Sequence, residues 1–206
     1  MSPRPRKASD DDVFAAAYRV MQRVGPDEFT LAAIAAEAGL TAGALVQRFG
    51  SRRELLVKLA AASAASAPDL GAYFRAQHAH AVCALGAYVL CFAAMATTPD
   101  AMARSLAYLH NDLTDPVLRK HLVAQARAGR GSLTALAAAA KQEGDITTGT
   151  DVAALAHLLE AIMSGSLMTW AIHRDGSART ALRKDLDTAL APYLSVQGRR
   201  RLRTLK

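Results

Sequence analysis

Residues 30–49 read TLAAIAAEAGLTAGALVQRF, and this stretch decides the fold of the N-terminal part of the chain. Thr30 and Thr41 each stand where a hydroxyl can cap a short helix, and Gly39 supplies the left-handed residue that ends the first of the two helices. Two short helices crossing at about 90–120° need a small residue where they touch, a glycine at the turn and an apolar anchor beneath the second helix. Ala35, Gly39 and Leu45 meet these needs in order, so the spacing predicts a helix-turn-helix. In an alanine-rich chain, a helical hairpin that binds no DNA could show the same spacing.

The segments on both sides of this unit also carry helix signals. Ser9 precedes three aspartates, which is typical of a helix start, and that helix is expected to end at Gly25. Ser51 and Glu54 form a capping box for a helix that follows the unit. Residues 68–71, PDLG, predict the end of that helix and a domain boundary.

The rest of the chain predicts helices only. Of its 206 residues 51% are hydrophobic and 5% aromatic, so helix formers greatly outnumber strand formers. Apolar residues from Phe74 to Met95 recur at steps of four and three, which predicts one long buried helix. Further helices are expected after Asp115 and Asp151, and a last one over residues 177–194. The fold class is therefore all-α, with about nine helices.

We expect two unequal domains between basic ends. The predicted divisions are a basic arm over 1–8, a helix-turn-helix domain over 9–67, a larger helical domain over 68–198, and a basic tail over 199–206. The arm and tail hold eight positive charges and no acid, and without them the net charge of +7 falls close to zero. On charge alone, such ends attract nucleic acid or an anionic membrane surface, or stay solvated without a partner.

The sequence favours a cytoplasmic protein. Cys83 and Cys91 fall about 12 Å apart on one helix, too far for a disulfide. No apolar segment follows the first basic residues, as a secretory signal would require. Residues 81–96 are uncharged, yet they are alanine-rich and short of the roughly 20 apolar residues of a membrane span, so a buried core helix is expected there and no membrane partner.

Residues 29–56, FTLAAIAAEAGLTAGALVQRFGSRRELL, closely resemble the DNA-binding segment of TetR-type (tetracycline-repressor-like) regulators. The resemblance includes the Phe49-Gly50-Ser51-Arg52 junction and the Leu55-Leu56 pair, and residues 165–170 are similar to the effector domains of that family. It implies a homodimer that binds a palindromic operator, with the helix Ala42–Phe49 of each subunit in the major groove. It also implies that residues 9–67 form a DNA-binding domain and that residues 68–198 form an effector-binding and dimerisation domain for a small-molecule effector.

Within that resemblance, the residue types suggest individual roles. Hydroxyl and guanidinium groups at helix ends suit phosphate contacts, whereas methyl and amide groups on the second helix suit base edges. The expected DNA-binding residues are Thr30, Thr41, Arg48 and Arg52 at helix ends, Ala42, Gly43, Ala44 and Gln47 on the reading face, and Arg4, Arg6 and Lys7 in the arm. Val46 stands where the family commonly has an aromatic residue that helps hold the phosphate backbone. Because valine donates no hydrogen bond, we expect unusual dependence on the arm, lying in or near the minor groove.

The effector pocket and the dimer interface are less well defined by sequence. Candidate pocket residues are Phe74, His78, Tyr88, Phe92, Tyr108, Asn111, His157 and Trp170, with His110 nearby; an aromatic stripe of this spacing is also typical of plain core packing. The last two predicted helices are expected to pair with a twofold mate in a four-helix interface, using the candidate dimer residues Leu155, Leu159, Ile162, Ser166 and Leu167. His78 and His80 point about 200° apart on a helix, so no metal is expected, and we expect no cofactor.

These observations predict a ligand-responsive, sequence-specific transcriptional regulator, most simply a repressor released by its effector. Motifs for catalysis or for phosphate-binding glycine loops were not found, so enzymatic activity is not expected. Two alternatives remain. One is a helical ligand-binding or interaction module that has lost specific DNA binding, which the lack of hydrogen-bonding side chains at residues 42–44 favours. The other is an enzyme built on helices.

Overall fold

The first helix begins where the sequence predicts, in a computed structural model that describes residues 8–205. Ser9 Oγ accepts from the Asp12 N–H at 3.1 Å, and Asp12 Oδ2 accepts from the Ser9 N–H at 2.8 Å, which makes a capping box. The described residues form ten α-helices and confirm the all-α class. Their bounds are α1 Asp10–Arg23, α2 Leu31–Ala38, α3 Ala42–Phe49, α4 Arg52–Gln77, α5 Ala81–Cys91, α6 Pro99–Thr114, α7 Pro116–Gln142, α8 Val152–His173, α9 Ala178–Leu190 and α10 Val196–Arg203.

Two apolar cores hold these helices together. The N-terminal core packs α1, α2, α3 and the start of α4 around side chains such as Ile34, Leu45 and Leu55, each fully buried. One side chain from α6, Tyr108, also belongs to it. The C-terminal core is built mainly from α5, α7, α8 and α9. The helix-turn-helix of residues 30–49, the reading unit, therefore packs on a separate core from the larger helical body.

The helix α4 runs through the predicted boundary at residues 68–71, so the expected helix end is corrected. Pro68 lies inside the helix, although proline removes one helical hydrogen bond. Packing against α7 overrides this local signal: Gly71 is buried, and a Cβ at that position would lie 2.6 Å from the Ser132 side chain. A single helix thus joins the two cores.

The prediction of one long helix from Phe74 to Met95 is also corrected. The helix is interrupted at residues 78–80, between the end of α4 and the start of α5. His78 and His80 both have extended backbone conformations. Arg75 Nη1 donates to the His78 carbonyl at 2.9 Å, and Glu143 Oε2 accepts from the Ala81 N–H at 2.9 Å. Glu143 lies 62 residues from the helix start it caps, which no local sequence signal can reveal.

The basic tail is largely a tenth helix rather than a solvated segment. Leu202 of α10 is buried, and its side chain lies where a Cβ on Gly86 of α5 would fall, 2.8 Å away. Gly198 packs so closely that a Cβ there would lie 2.1 Å from the carbonyl oxygen of Asp145. Buried apolar contact therefore fixes the tail on the C-terminal core, while Arg199, Arg200 and Arg203 stay exposed.

The expectation of a buried helix over residues 81–96 is confirmed for α5, where nine of the eleven residues are buried. Cys83 and Cys91 are both free. Among the described residues, α8 is long and apolar enough to cross a membrane by length and composition, a test that core helices of soluble proteins also pass. Only 33% of its apolar window is buried inside the protomer, and its large apolar side chains Met168 and Ile172 are exposed.

Candidate DNA-binding surface

The turn between α2 and α3 has the geometry that the sequence predicts. Gly39 adopts φ +68° and ψ +31°, the left-handed region in which glycine has no Cβ penalty. Its neighbour Leu40 donates its N–H to the Ala35 carbonyl at 2.8 Å, which satisfies a terminal carbonyl of α2. Thr30 and Thr41 cap the two helices, accepting from backbone N–H groups at 3.1 and 3.2 Å.

Helix α3 is anchored on one face and open on the other. Leu45 and Phe49 are buried in the N-terminal core. The four residues expected to face base edges, Ala42, Gly43, Ala44 and Gln47, are all exposed. Val46 is exposed over 51% of its surface. The outer side of α3 is therefore a smooth, mostly methyl-bearing surface with a single amide.

Two arginines of α1 and one glutamate of α2 form ion pairs that join these two helices. Arg19 and Arg23 of α1 donate to the two oxygens of Glu37 on α2, at 2.6 and 2.5 Å. The Arg19 hydrogen bond, and then that of Arg23, lower the pKa of Glu37 below its usual value. The carboxylate thus stays charged at neutral pH and clamps α2 onto α1.

Arg48 is bonded within the protein, which sequence reasoning did not anticipate. Its Nη1 donates to the Ala8 carbonyl at 2.6 Å and its Nη2 pairs with Asp10. The C-terminal end of α3 is therefore bonded to Ala8, the residue that follows the arm in the chain. The arm residues Arg4, Arg6 and Lys7 lie outside the described residues. Arg52, at the start of α4, is half-buried.

Lys58 is a basic residue beside α3 that the sequence analysis missed. Its Nζ donates to the Arg48 carbonyl at 3.4 Å and lies 5.2 Å from the centre of the Phe49 ring. A cation at a helix C-terminus is favourable because the helix dipole is negative there. Lys58 belongs to α4 rather than to α3. Its position on α4 is therefore the sequence signal that could have indicated this contact.

Two family models match the chain. One, described as "Bacterial regulatory proteins, tetR family", matches residues 13–59, and the other, "Tetracyclin repressor-like, C-terminal domain", matches residues 107–186. The chain belongs to the TetR family. The resemblance carried by residues 29–56 is thus confirmed. Members of this family are transcription regulators, and the DNA-binding helix-turn-helix is implied by the N-terminal match.

Several solved structures of regulators share the fold across most of their length. The chain is similar to SmeT, the repressor of the Stenotrophomonas maltophilia multidrug efflux pump SmeDEF, at 19% identity, with a TM-score of 0.65 and 92% of each chain covered. It is similar to FadR from Bacillus subtilis in complex with stearoyl-CoA, at 16% identity, TM-score 0.66, covering 89% of this chain and 98% of that one. MbdR from Azoarcus sp. CIB aligns at 20% identity, TM-score 0.64, over 91% and 100%. At these identities the likeness shows the fold alone. No curated protein sequence matches the chain.

In this TetR-family chain the expected pocket residues fall into separate places. Phe74, His78, Tyr88 and Phe92 stack in series, with ring centres 5.6–6.3 Å apart, and Tyr88 is buried. Trp170 is buried and its Nε1 donates to the Gly176 carbonyl at 3.2 Å. His157 is exposed on α8, and Asn111 is half-buried on α6, where His110 is exposed. Two surface grooves of about 480 and 420 Å³ follow α7, and none of these residues lines them.

Tyr108 lies apart from the other expected pocket residues, in the N-terminal core. It is 5% exposed, its ring meets Phe29 edge-on at 5.7 Å, and its hydroxyl donates to the Val24 carbonyl at 3.1 Å. Burial raises the pKa of Tyr108 to about 12, so the hydroxyl keeps its proton at any physiological pH. Arg104 on the same helix donates to the Gln22 carbonyl at 2.9 Å. Helix α6 thus grips the end of α1.

The residues expected at the dimer interface mostly point into the protomer. Leu155, Leu159, Ser166 and Leu167 are buried in the C-terminal core, and Ile162 is half-buried against it. The opposite side of α8 is exposed. A second copy of the chain can therefore reach that outer side of α8 rather than the four buried residues.

Substitution of Gly39 tests the turn against a matched glycine. A Cβ would meet no atom within 4 Å at either Gly39 or Gly25, but only Gly39 has a positive φ. We expect Gly39→Ala to lower the free energy of unfolding of the N-terminal core by about 1–2 kcal/mol, and Gly25→Ala to leave it unchanged or slightly raised. Urea unfolding of the full chain measures both. Equal stabilities of the two variants would show that the left-handed turn is not required.

Proposed function

We propose that the protein is a ligand-responsive, sequence-specific DNA-binding transcriptional regulator that acts in the cytoplasm as a repressor and is released by a small-molecule effector. The single observation that supports this most is the two-sided α3, which buries Leu45 and Phe49 and exposes Ala42, Gly43, Ala44 and Gln47. An exposed helix face held rigidly by a core suits the major groove. Gln47 can pair with adenine, and the methyl groups of Ala42 and Ala44 can contact thymine.

Phosphate contacts in this proposal come from the groups around α3. The Thr41 hydroxyl accepts from Ala44 and still has a proton to donate. Arg52 and Lys58 add positive charge at the start of α4. Arg48 bonds to Ala8 and Asp10, and a guanidinium has five N–H donors, so Arg48 would position the arm and also contact a phosphate. Since Val46 offers no donor, the arm residues would supply a larger share of the binding than in a family member with an aromatic residue there.

Deletion of residues 1–7 tests the arm. An operator is first selected from a random duplex pool with the full chain. We then expect the deletion to weaken binding by about tenfold or more, and to lower the salt slope by about 0.9 for each phosphate that the arm would otherwise neutralise. The measurement is gel retardation over a range of salt concentrations.

The matched control removes the same number of charges from the other end, as Arg199→Ala, Arg200→Ala and Arg203→Ala together, and should bind normally. An unchanged salt slope after the deletion would contradict the role of the arm. Failure of the full chain to select any duplex would instead favour the alternative, a helical ligand-binding or interaction module that has lost specific DNA binding.

The proposed regulator is a homodimer that pairs through the outer side of α8. This helix has a mean hydropathy of 1.4 over its apolar window, yet most of that window is not buried in the protomer. Met168 and Ile172 are exposed over 45% and 70% of their surfaces, and small residues such as Ala161 leave room for close approach. An exposed apolar helix face of this kind marks a protein interface. Twofold pairing would space two α3 helices for adjacent major grooves, about 34–36 Å apart.

We expect a dimer in sedimentation velocity at micromolar concentration, and we expect Ile172→Glu to weaken dimerisation at least about tenfold because it buries a charge. Val196→Glu is the matched control, since Val196 is exposed over 72% of its surface on another helix. A monomeric wild-type chain, or equal effects of both variants, would contradict this interface.

The effector response is proposed to reach α3 through α6. This helix touches the C-terminal core on one side and, through Tyr108 and Arg104, the end of α1 on the other. Arg53 of α4 adds a bidentate pair with Asp115 at 3.0 and 3.2 Å, just after α6. A ligand that binds the two states of the C-terminal domain unequally would move α6 and so the orientation of the reading unit.

Tyr108→Phe tests this link because it removes one hydroxyl and keeps the ring on Phe29. Loss of this donor to the Val24 carbonyl should weaken the coupling between α6 and α1 by about 0.5–1.5 kcal/mol. We expect this loss to appear as a roughly 2–10-fold change in operator affinity. Tyr73→Phe, at an exposed tyrosine of α4, should have no effect. Identical affinities of the two variants would show that α6 does not hold the reading unit through this bond.

A further inference from the structure

Three potential metal ligands from separate parts of the chain meet at the start of α5. His80 is the N-cap residue of α5, Glu143 is the C-cap residue of α7, and Asp145 follows in the next loop. One ligand atom from each lies within 4.8 Å of the other two. The distance between His80 Nδ1 and Glu143 Oε2 is 3.9 Å.

Each of the two carboxylates has one oxygen held by an arginine. Arg75 Nη2 donates to Glu143 Oε1 at 2.8 Å, and Arg201 Nη1 donates to Asp145 Oδ1 at 2.9 Å. Glu143 Oε2 also accepts from the Ala81 N–H. These bonds fix both carboxylates in orientation.

The other oxygen of Asp145 has no such partner. Asp145 is fully buried, and its Oδ2 has no hydrogen-bond donor in the described part of the chain. A buried carboxylate oxygen without a donor or a cation is costly. This unpartnered oxygen is an observation independent of the proximity of the three residues, and a cation would satisfy it.

We propose that His80, Glu143 and Asp145 bind a divalent transition-metal ion of the zinc class. One imidazole nitrogen with two carboxylate oxygens is a donor set that suits Zn²⁺, whereas Mg²⁺ and Ca²⁺ take oxygen ligands. Tetrahedral coordination with bonds of about 2.0–2.1 Å puts ligand atoms about 3.3 Å apart. The 3.9 Å between His80 Nδ1 and Glu143 Oε2 would have to shorten by about 0.6 Å, and the half-exposed His80 side chain can make this movement. Its exposure also leaves a coordination position for water.

The surrounding charges determine the strength and role of such a site. Arg75 and Arg201 offset the two carboxylates, so the affinity is expected to be lower than that of a zinc site made of thiolates. The same arginines orient the ligands from behind, as outer partners of metal ligands commonly do. A cysteine nearby, Cys83, is bonded through its Sγ to the Arg201 carbonyl at 3.3 Å.

The ion would stabilise the attachment of α10. The Asp145 carbonyl accepts from the Ser195 N–H at 2.9 Å and abuts Gly198, and its side chain holds Arg201. A metal at Asp145 therefore ties α5 and the end of α7 to the base of α10. The site lies outside the proposed DNA-reading unit, so its role is to fix the C-terminal helix rather than to contact an operator.

The test is titration of the tag-free full chain with Zn²⁺, followed by calorimetry with a competing chelator and by thermal unfolding. We expect one ion per chain and a rise in Tm. His80→Ala should lower the affinity at least tenfold and abolish the rise, while circular dichroism shows the fold retained. His157→Ala is the matched control, because His157 Nδ1 also lies 3.9 Å from a glutamate, Glu160, whereas Asp145, the buried carboxylate of residues 8–205, belongs to the His80 cluster.

A second variant, Glu143→Gln, keeps the size of the side chain while removing its charge, and should weaken binding like His80→Ala. Bound cobalt(II) should give the wild type the visible absorption typical of an ion with a low coordination number. That absorption should disappear in both site variants. The proposal is overturned if the wild type binds no stoichiometric Zn²⁺, or if His80→Ala and His157→Ala bind it equally.

Discussion

The left-handed residue at Gly39 is the constraint on which the reading unit depends. It turns the chain within two residues, so that α3 starts immediately and lays Leu45 into the core that Ile34 of α2 has begun. Burial of a leucine side chain contributes about 1.5–3 kcal/mol, and it fixes the rotation of α3 about its own axis. Once that rotation is set, the exposed positions follow from helical geometry alone. The specificity of the proposed regulator is therefore a consequence of a turn and an anchor that need not touch DNA.

Local signals predicted the parts of the fold that local interactions determine. The caps at Ser9, Thr30, Thr41 and Ser51 each accept the hydrogen bond that the sequence suggests. The differences arise where a distant residue overrides the local pattern. Glu143 caps a helix start 62 positions away, and contact with α7 keeps α4 helical through Pro68. Residues 196–203 are helical because Leu202 finds a buried place on α5, although arginine-rich ends are usually solvated.

The candidate site shows the same division. Periodicity alone indicated which side of α3 is buried and which is exposed, because the apolar residues and the surface residues of this short helix separate cleanly. It did not indicate that Arg48 bonds to Ala8 and Asp10, since an arginine at a helix end can bond to many different partners. On α8, periodicity found the strongest apolar stripe, and this stripe packs inside the protomer. The proposed interface between copies uses the other, more exposed side of α8, and only a packed structure distinguishes that side from the buried stripe.

The continuity of α4 bears on how the two cores can communicate. The helix spans 26 residues, about 39 Å at 1.5 Å per residue, with Arg52 and Arg53 at one end and Phe74 at the other. Phe74 stacks edge-on against Tyr88 of α5 at 6.1 Å, so a ligand entering between these rings would have to separate α4 from α5. Because Pro68 weakens the hydrogen bonding of α4 at one point without breaking it, the displacement would bend the helix there or pass to its N-terminal end. The Arg53–Asp115 pair joins that end to the α6–α7 junction, so α4 and α6 would respond together.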